Sequence, residues 1–347
     1  MRQRKGRFIN LILVLVLALS TLSGCFSGDR HYVLTTAFAK NELMRINSKS
    51  CYLPEMMLYL TTIQNQYEEV YGSEIWQQTP DGISLESKIK DMVLAKIAQV
   101  KVMNLMAESY GITLNEDDEK QVRKKAVDFY AGLNETERTL IGVTEEDVIS
   151  IYSEYVLAEK LYDYVIRDIN PEISDDEART VTVMRILIKT YTTDAEGKTT
   201  QLSERAKIEA YEKAKLVAEL ARTEDTSFES LAAKYSDDET LTYSLGRGEA
   251  SPEIEEVVFN LGTGEVSGVV ENEAGYHILK CVSSFDVDET QANKSVILKE
   301  RKDAVFNETY DTFLTTLTKT LNEKLYDSIS LIHDPEVTTS EFFNVDF

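Results

Sequence analysis

The sequence predicts an α+β chain in which a lobe of helices is joined to a smaller domain of strands and helices. Three observations carry this expectation. Apolar residues recur at helical spacing with few breakers from 50 to 168. An alternating run at Val181–Ile188 opens a stretch, reaching to 285, in which strand and helix signatures succeed one another. After Asp286 a further helical stripe, Phe306, Tyr310, Phe313, Leu317 and Leu321, needs a partner surface, because one amphipathic helix cannot bury its own face.

With 347 residues and 43% hydrophobic content, the chain has enough length and apolar matter for two cores. Sixty acidic residues against 37 basic ones give a net charge of −23. That balance argues against a nucleic-acid partner, since phosphate binding needs clustered Lys and Arg. It favours solubility and repulsion from anionic surfaces.

The N-terminus departs from this composition. Arg2, Arg4, Lys5 and Arg7 precede an apolar run from Leu11 to Leu19, and small residues follow, the plan of an export signal over 1–24. The run falls short of the ~20 residues that span a bilayer. Leu22-Ser23-Gly24-Cys25 resembles a bacterial lipobox, which would make Cys25 the acylated first residue of the mature chain and residues 25–49 a lipidated tether. A retained membrane helix, or a cleaved signal with Cys25 incidental, are the other readings of the stretch. Cys51 and Cys281 fall in different domains on this reading and are expected as free or buried thiols. Two such cysteines and three histidines without ligand spacing make no case for a metal site, and no cofactor is expected.

Taken in order, Ser27–Lys40 is polar, with a short strand signal near Tyr32–Leu34. Met56, Leu60, Ile63, Tyr67 and Val70 then define a helix, and Ile89 to Tyr110 a longer one ended by Gly111. Asn115 with Asp118 caps a third helix, whose inner face is Val122, Ala126 and Phe129; Thr144 opens a fourth that runs to Val165. The methionines here (Met56, Met57, Met92, Met103, Met106) are core filler or, alternatively, a deformable apolar cradle. Asn170-Pro171-Glu172 marks a linker, and Thr190–Gln201 a hairpin-like insertion. Ser203–Arg222 is a long amphipathic helix, and Phe228, Leu231, Ala232 and Tyr235 a shorter one. A short helix opens at Pro252, where the missing N–H costs nothing, and Gly262 and Gly264 end it. Val266, Val269 and Val270 suggest a strand, Asn272–Gly275 a turn, and Tyr276–Val282 a second strand.

The order of residues in RGEASPEIEEVVFNLGTGEVSGVVENEAGYHI, Arg247–Ile278, resembles the C-terminal half of a parvulin-type (PpiC) peptidyl-prolyl isomerase domain. The succession of strands and helices before it extends the resemblance to 178–285 and implies a four-stranded antiparallel sheet with surrounding helices. YGITLNEDDEKQV, Tyr110–Val122, resembles a helix junction of the chaperone lobes in SurA-like and PrsA-like foldases. That kinship implies an all-helical, discontinuous chaperone lobe, 50–175, completed by a C-terminal helix at 290–330. Residues 333–347 show no period and are expected to be loose.

The resemblance also implies where the chemistry lies. Parvulins carry two histidines, a Cys or Asp between them, and a Met and Phe around the prolyl ring. The second histidine corresponds to His277 and the acidic position to Asp238, while the first histidine falls on Arg185 in Val183-Met184-Arg185-Ile186-Leu187. The pocket Met and Phe fall on Ala250 and Ile254, and Phe259 and Leu245 complete the implied substrate-binding set. Arg185 is charged at any physiological pH, unlike a histidine, and is placed to pair with Asp238. His277 and Asp238 also have plain structural readings, as a sheet hydrogen-bonder and a turn residue.

Two functions follow. One is an extracytoplasmic folding factor, anchored in the cell membrane through Cys25, that binds unfolded secreted polypeptides and catalyses prolyl isomerisation weakly because Arg185, Ala250 and Ile254 replace typical residues. The other is a non-catalytic holdase whose parvulin-like domain only grips peptide. A homodimer is compatible with either. A solute-capturing transport lipoprotein would need two lobes of alternating strand and helix, which 50–168 does not offer.

Overall fold

The structure is a computed structural model that describes residues 38–195, 197–223, 227–345 and 347. The signal segment, Cys25 and the strand signal at Tyr32–Leu34 lie outside the described residues. The fold is α+β, and the described chain divides into two compact units, Ile169–Ala304 and the remainder on either side of it.

The first unit begins with a hairpin, β1 Glu42–Ile46 and β2 Lys49–Tyr52. Asn47 takes φ 46° at its turn, a conformation Asn tolerates better than most residues. Helices α1 Leu53–Tyr71, α2 Leu85–Ser109, α3 Glu116–Gly132, α4 Glu135–Ile141 and α5 Glu145–Ile166 follow. Asn115 with Asp118, Asn134 with Glu137 and Thr144 with Asp147 each close a capping box, and Ser84 Oγ accepts the Ser87 N–H at the start of α2, so four of the five N-termini have a local side-chain cap.

The second unit contains the short helix α6 Asp175–Ala178, then β3 Val181–Lys189, the hairpin β4 Tyr191–Thr193 and β5 Thr199–Gln201, α7 Glu204–Leu220, α8 Phe228–Tyr235, β6 Thr242–Leu245, α9 Pro252–Val258, β7 Val270–Asn272 and β8 Gly275–Ser283. The strands order as β6-β3-β8-β7, all antiparallel. Because side chains alternate across a strand, β3 is buried on both faces. Met184, Ile186 and Ile188 pack with Ala214 and Val217 of α7 and Phe228 and Leu231 of α8. Val181 and Val183 pack on the other face with Leu245, Ile254, Val258 and Leu279. α10 Val287–Leu314 leaves this unit, and its residues from Val305 group with the first.

Four expectations are corrected. The first unit is not all-helical: β9 Lys319–Leu321 pairs antiparallel with β1, giving a three-stranded sheet β2-β1-β9, and the short helix α11 Glu323–Asp327 follows. The strands are three to five residues long, and β9 pairs with β1 across more than 270 positions, too short and too distant to leave a local signature. The same strands correct the two neighbouring boundaries. The stretch taken as tether to 49 contains the buried Glu42, Leu43, Met44 and Ile46, and the helix placed at 290–330 ends at Leu314. Lastly, residues 333–347 are not loose, since Val337 and Phe342 are buried. Cys51 and Cys281 are both buried free thiols. No helix of the described residues is long and apolar enough to cross a membrane.

Candidate functional site

The face of β3 that carries Val181 and Val183 continues, two residues at a time, to Arg185 and Leu187. On β8, Leu279 lies opposite Arg185 and His277 opposite Leu187, while Val270 of β7 pairs with His277 from the other side. His277 is therefore flanked by strands and 1% exposed. The loop 236–241 is tied to the β3 backbone: the Asp237 amide donates to Leu187 O at 2.7 Å and the Arg185 amide to Leu241 O at 2.8 Å. That anchoring holds Asp238 over the sheet, where its carboxylate pairs with the Arg185 guanidinium.

Electrostatics at this face centre on that pair. Burial alone would raise the Asp238 carboxyl, but hydrogen bonds from Arg185 and from the Thr240 amide override it and the net direction is down. The guanidinium also lies 5.0 Å from the Tyr243 ring centroid, a cation–π distance. For His277, burial and the Arg185 charge together outweigh Asp238 and push the imidazole down to about 4. It is neutral at physiological pH.

Asn272 fixes which nitrogen carries the proton. Its Oδ1 accepts the Ala274 backbone N–H at 2.9 Å, and a backbone amide can only donate. The Oδ1 assignment is thus determined, and His277 Nε2, 2.7 Å from the same oxygen, must be the protonated nitrogen. Asn272 Nδ2 is engaged by Ser251 Oγ at 3.2 Å. His277 Nδ1 is left as a buried lone pair without a partner, and Arg185 Nε is a buried donor without one. Both atoms are closed off from solvent, so each is a polar group held unpaired in the interior.

The four residues assigned to substrate binding sit differently. Leu245, Ile254 and Phe259 are buried in the apolar cluster that packs on the Val181–Val183 end of this face, and Ala250 packs at its margin. Phe259 also lines a cleft of about 530 Å³ with Arg179, Arg247 and Pro252, whose lining includes none of Arg185, Asp238 and His277. Sequence reasoning missed Asn272, Tyr243 and Ser251. Asn272 read only as a turn former, and its link to His277 depends on the two-residue turn that brings β7 against β8. Gly275 shows why the Gly-Tyr-His-Ile string needs its glycine: φ is 136°, and a Cβ there would stand 2.3 Å from Ile188 O.

A profile for the PPIC-type PPIase (rotamase) domain matches residues 186–283. Residues 186–283 are a PPIC-type PPIase domain. Along the whole chain, the foldase protein PrsA of Caldanaerobacter subterraneus subsp. tengcongensis is 26% identical over 325 residues, covering 90% of this chain and 94% of that one. PrsA of Clostridium perfringens strain 13 is 22% identical over 315 residues, covering 84% and 88%. Among solved structures, the peptidylprolyl isomerase PrsA of Bacillus cereus aligns with a TM-score of 0.36 at 18% identity, covering 75% of this chain and 90% of that one. The chain is PrsA-like in sequence, with the PPIase domain set between the two parts of its first unit.

Proposed function

We propose that this chain is an extracytoplasmic foldase, tethered to the cell membrane through a lipid on Cys25, that binds unfolded secreted polypeptides and isomerises their prolyl bonds at the Arg185–Asp238–His277 face. The observation that carries the catalytic part is the convergence of a neutral histidine and a paired arginine on one face of the sheet. Rotating an X–Pro bond must overcome a barrier of ~20 kcal/mol that arises from amide resonance, and no bond is made or broken. A site that desolvates the carbonyl and hydrogen-bonds the twisted amide better than the planar one lowers that barrier. In this reading Asp238 holds the Arg185 guanidinium, the pair and His277 form the face against which the amide twists, and Ala250 and Ile254 border the prolyl ring.

The holdase reading draws on a specific observation as well: Ile254, Leu245 and Phe259 are already enclosed by the protein, which leaves little apolar surface for a prolyl ring. A protease-coupled isomerisation assay on an Ala-Xaa-Pro-Phe peptide, run beside suppression of aggregation of a reduced client, separates the two. Catalysis predicts rates above the blank that fall to it in His277→Ala. Rates equal to the blank in both proteins, with aggregation still suppressed, would establish the holdase.

A further inference from the structure

Residues 329–347 contain no helix or strand among those described, yet the first unit holds them closely. It does so largely through their main chain. Gln64 on α1 brackets Ile332 as a β-neighbour would: its Nε2 donates to Ile332 O at 2.8 Å and its Oε1 accepts the Ile332 N–H at 3.1 Å. Asn65 donates to Thr339 O at 2.8 Å and Gln66 to Ser340 O at 2.7 Å. Glu137 Oε1 accepts both the Thr338 and Thr339 amides, at 2.9 and 2.8 Å. The Tyr152 hydroxyl donates to Phe342 O at 3.0 Å.

The largest side chains of the strap that the unit reads are aromatic. Phe342 stacks on Tyr152 at 4.9 Å between centroids and meets Phe129 edge-on at 5.2 Å. Phe343 meets Tyr59 at 4.9 Å, with Lys96 Nζ 3.8 Å from its centroid on the other side. The two rings fill their seat so far that a cavity of only about 10 Å³ is left beside them.

Side-chain amides and carboxylates that satisfy the main-chain N–H and C=O groups of a segment are indifferent to its sequence, as a sheet edge is. The side chains that are specified are the aromatic pair, the buried Val337 and Ser340, whose hydroxyl donates to Glu69 at 2.7 Å. We infer that the groove formed by α1, α3, α4 and α5 is a binding site for aromatic-bearing segments of unfolded polypeptide, and that residues 332–345, which turn at 334–337 and 341–344, occupy it in cis as a strap a client must displace. This rests on the foldase reading and adds the client's chemistry and a means of regulation. A strap on the same chain competes at a high effective concentration, and client affinity falls by the fraction of molecules whose groove is open.

The test uses the whole chain and a fluorescein-labelled, proline-free peptide with a central Phe-Phe pair, so that prolyl recognition contributes nothing. Phe342→Ala/Phe343→Ala is expected to bind this probe about ten-fold tighter than the unaltered protein, because the strap no longer competes. Equal affinity in the two proteins overturns the strap while leaving the foldase reading standing. Absence of binding to either overturns the strap and the client-binding half of that reading together. Should the double variant lose its fold by circular dichroism, hydrogen exchange in the unaltered chain decides. Saturation with the probe is expected to speed exchange at the Thr338 and Thr339 amides, whose bonds to Glu137 open as the strap leaves. Exchange at these amides unchanged or slowed by bound probe overturns the inference.

Discussion

His277 Nε2 lies 2.7 Å from Asn272 Oδ1, and because that oxygen already accepts the Ala274 amide, the imidazole is held in one tautomer with Nδ1 free. Asn272→Ala removes this restraint without touching Arg185 or Asp238. Nitrogen-15 NMR of the imidazole is expected to show the Nε2–H form in the parent and a tautomer mixture in the variant. A variant still in the Nε2–H form alone would show that Asn272 does not set it.

The same histidine makes stability depend on pH. Folded His277 titrates near 4 against 6.5 in the unfolded chain, so between these values the unfolded state binds the extra proton. Its contribution is complete above pH 6.5 and is lost as pH falls toward 4, roughly 3 kcal/mol in all. Denaturant titrations of the parent and of His277→Asn are expected to converge as pH is lowered. Parallel curves across that window would contradict the assignment.

Arg185 stands where the parvulin resemblance implies a histidine. Arg185→His exchanges a fixed charge for a group that can be neutral, and it leaves Asp238 able to hydrogen-bond the new ring. Isomerisation is expected to rise several-fold in the peptide assay, with a stability loss of about 1 kcal/mol from the half-buried ion pair. A fall in rate would instead mark Arg185 as a catalytic donor in its own right.

In the first unit, Lys101 Nζ lies 2.9 Å from Glu55 and 2.6 Å from Glu154, all three largely buried. One ammonium offsets only one of the two carboxylates. Burial raises the Glu55 carboxyl to about 7, with Lys101 opposing and Glu154 reinforcing. Here the folded state binds the extra proton between about 4.5 and 7, so this group's contribution to stability declines as pH rises through that window. Glu55→Gln is expected to flatten the decline and to gain at least about 1 kcal/mol at pH 8 relative to the parent. An unchanged slope between pH 5 and 8 would show that Glu55 is ionised throughout.

Gly275→Ala forces a Cβ to within 2.3 Å of Ile188 O at a φ that side chains rarely adopt. Calorimetry is expected to show a loss of 2 kcal/mol or more, on the order of strained backbone combined with a broken ladder.

The sequence alone determined what local physics writes into a few consecutive residues. The caps at Asn115 and Thr144, the strand at 181–188, the helix opening at Pro252 and the glycine before Tyr276 are set by period, by side-chain capping and by allowed φ, each within one or two turns of chain. Tertiary structure alone decided the rest. A strand at 319–321 completes a sheet begun at 42, the imidazole tautomer of His277 is chosen by an amide across a turn, and an unpatterned tail lies between helices. Those outcomes depend on partners brought together by closing long loops, where the stabilising group and the group it stabilises share no neighbourhood in the sequence.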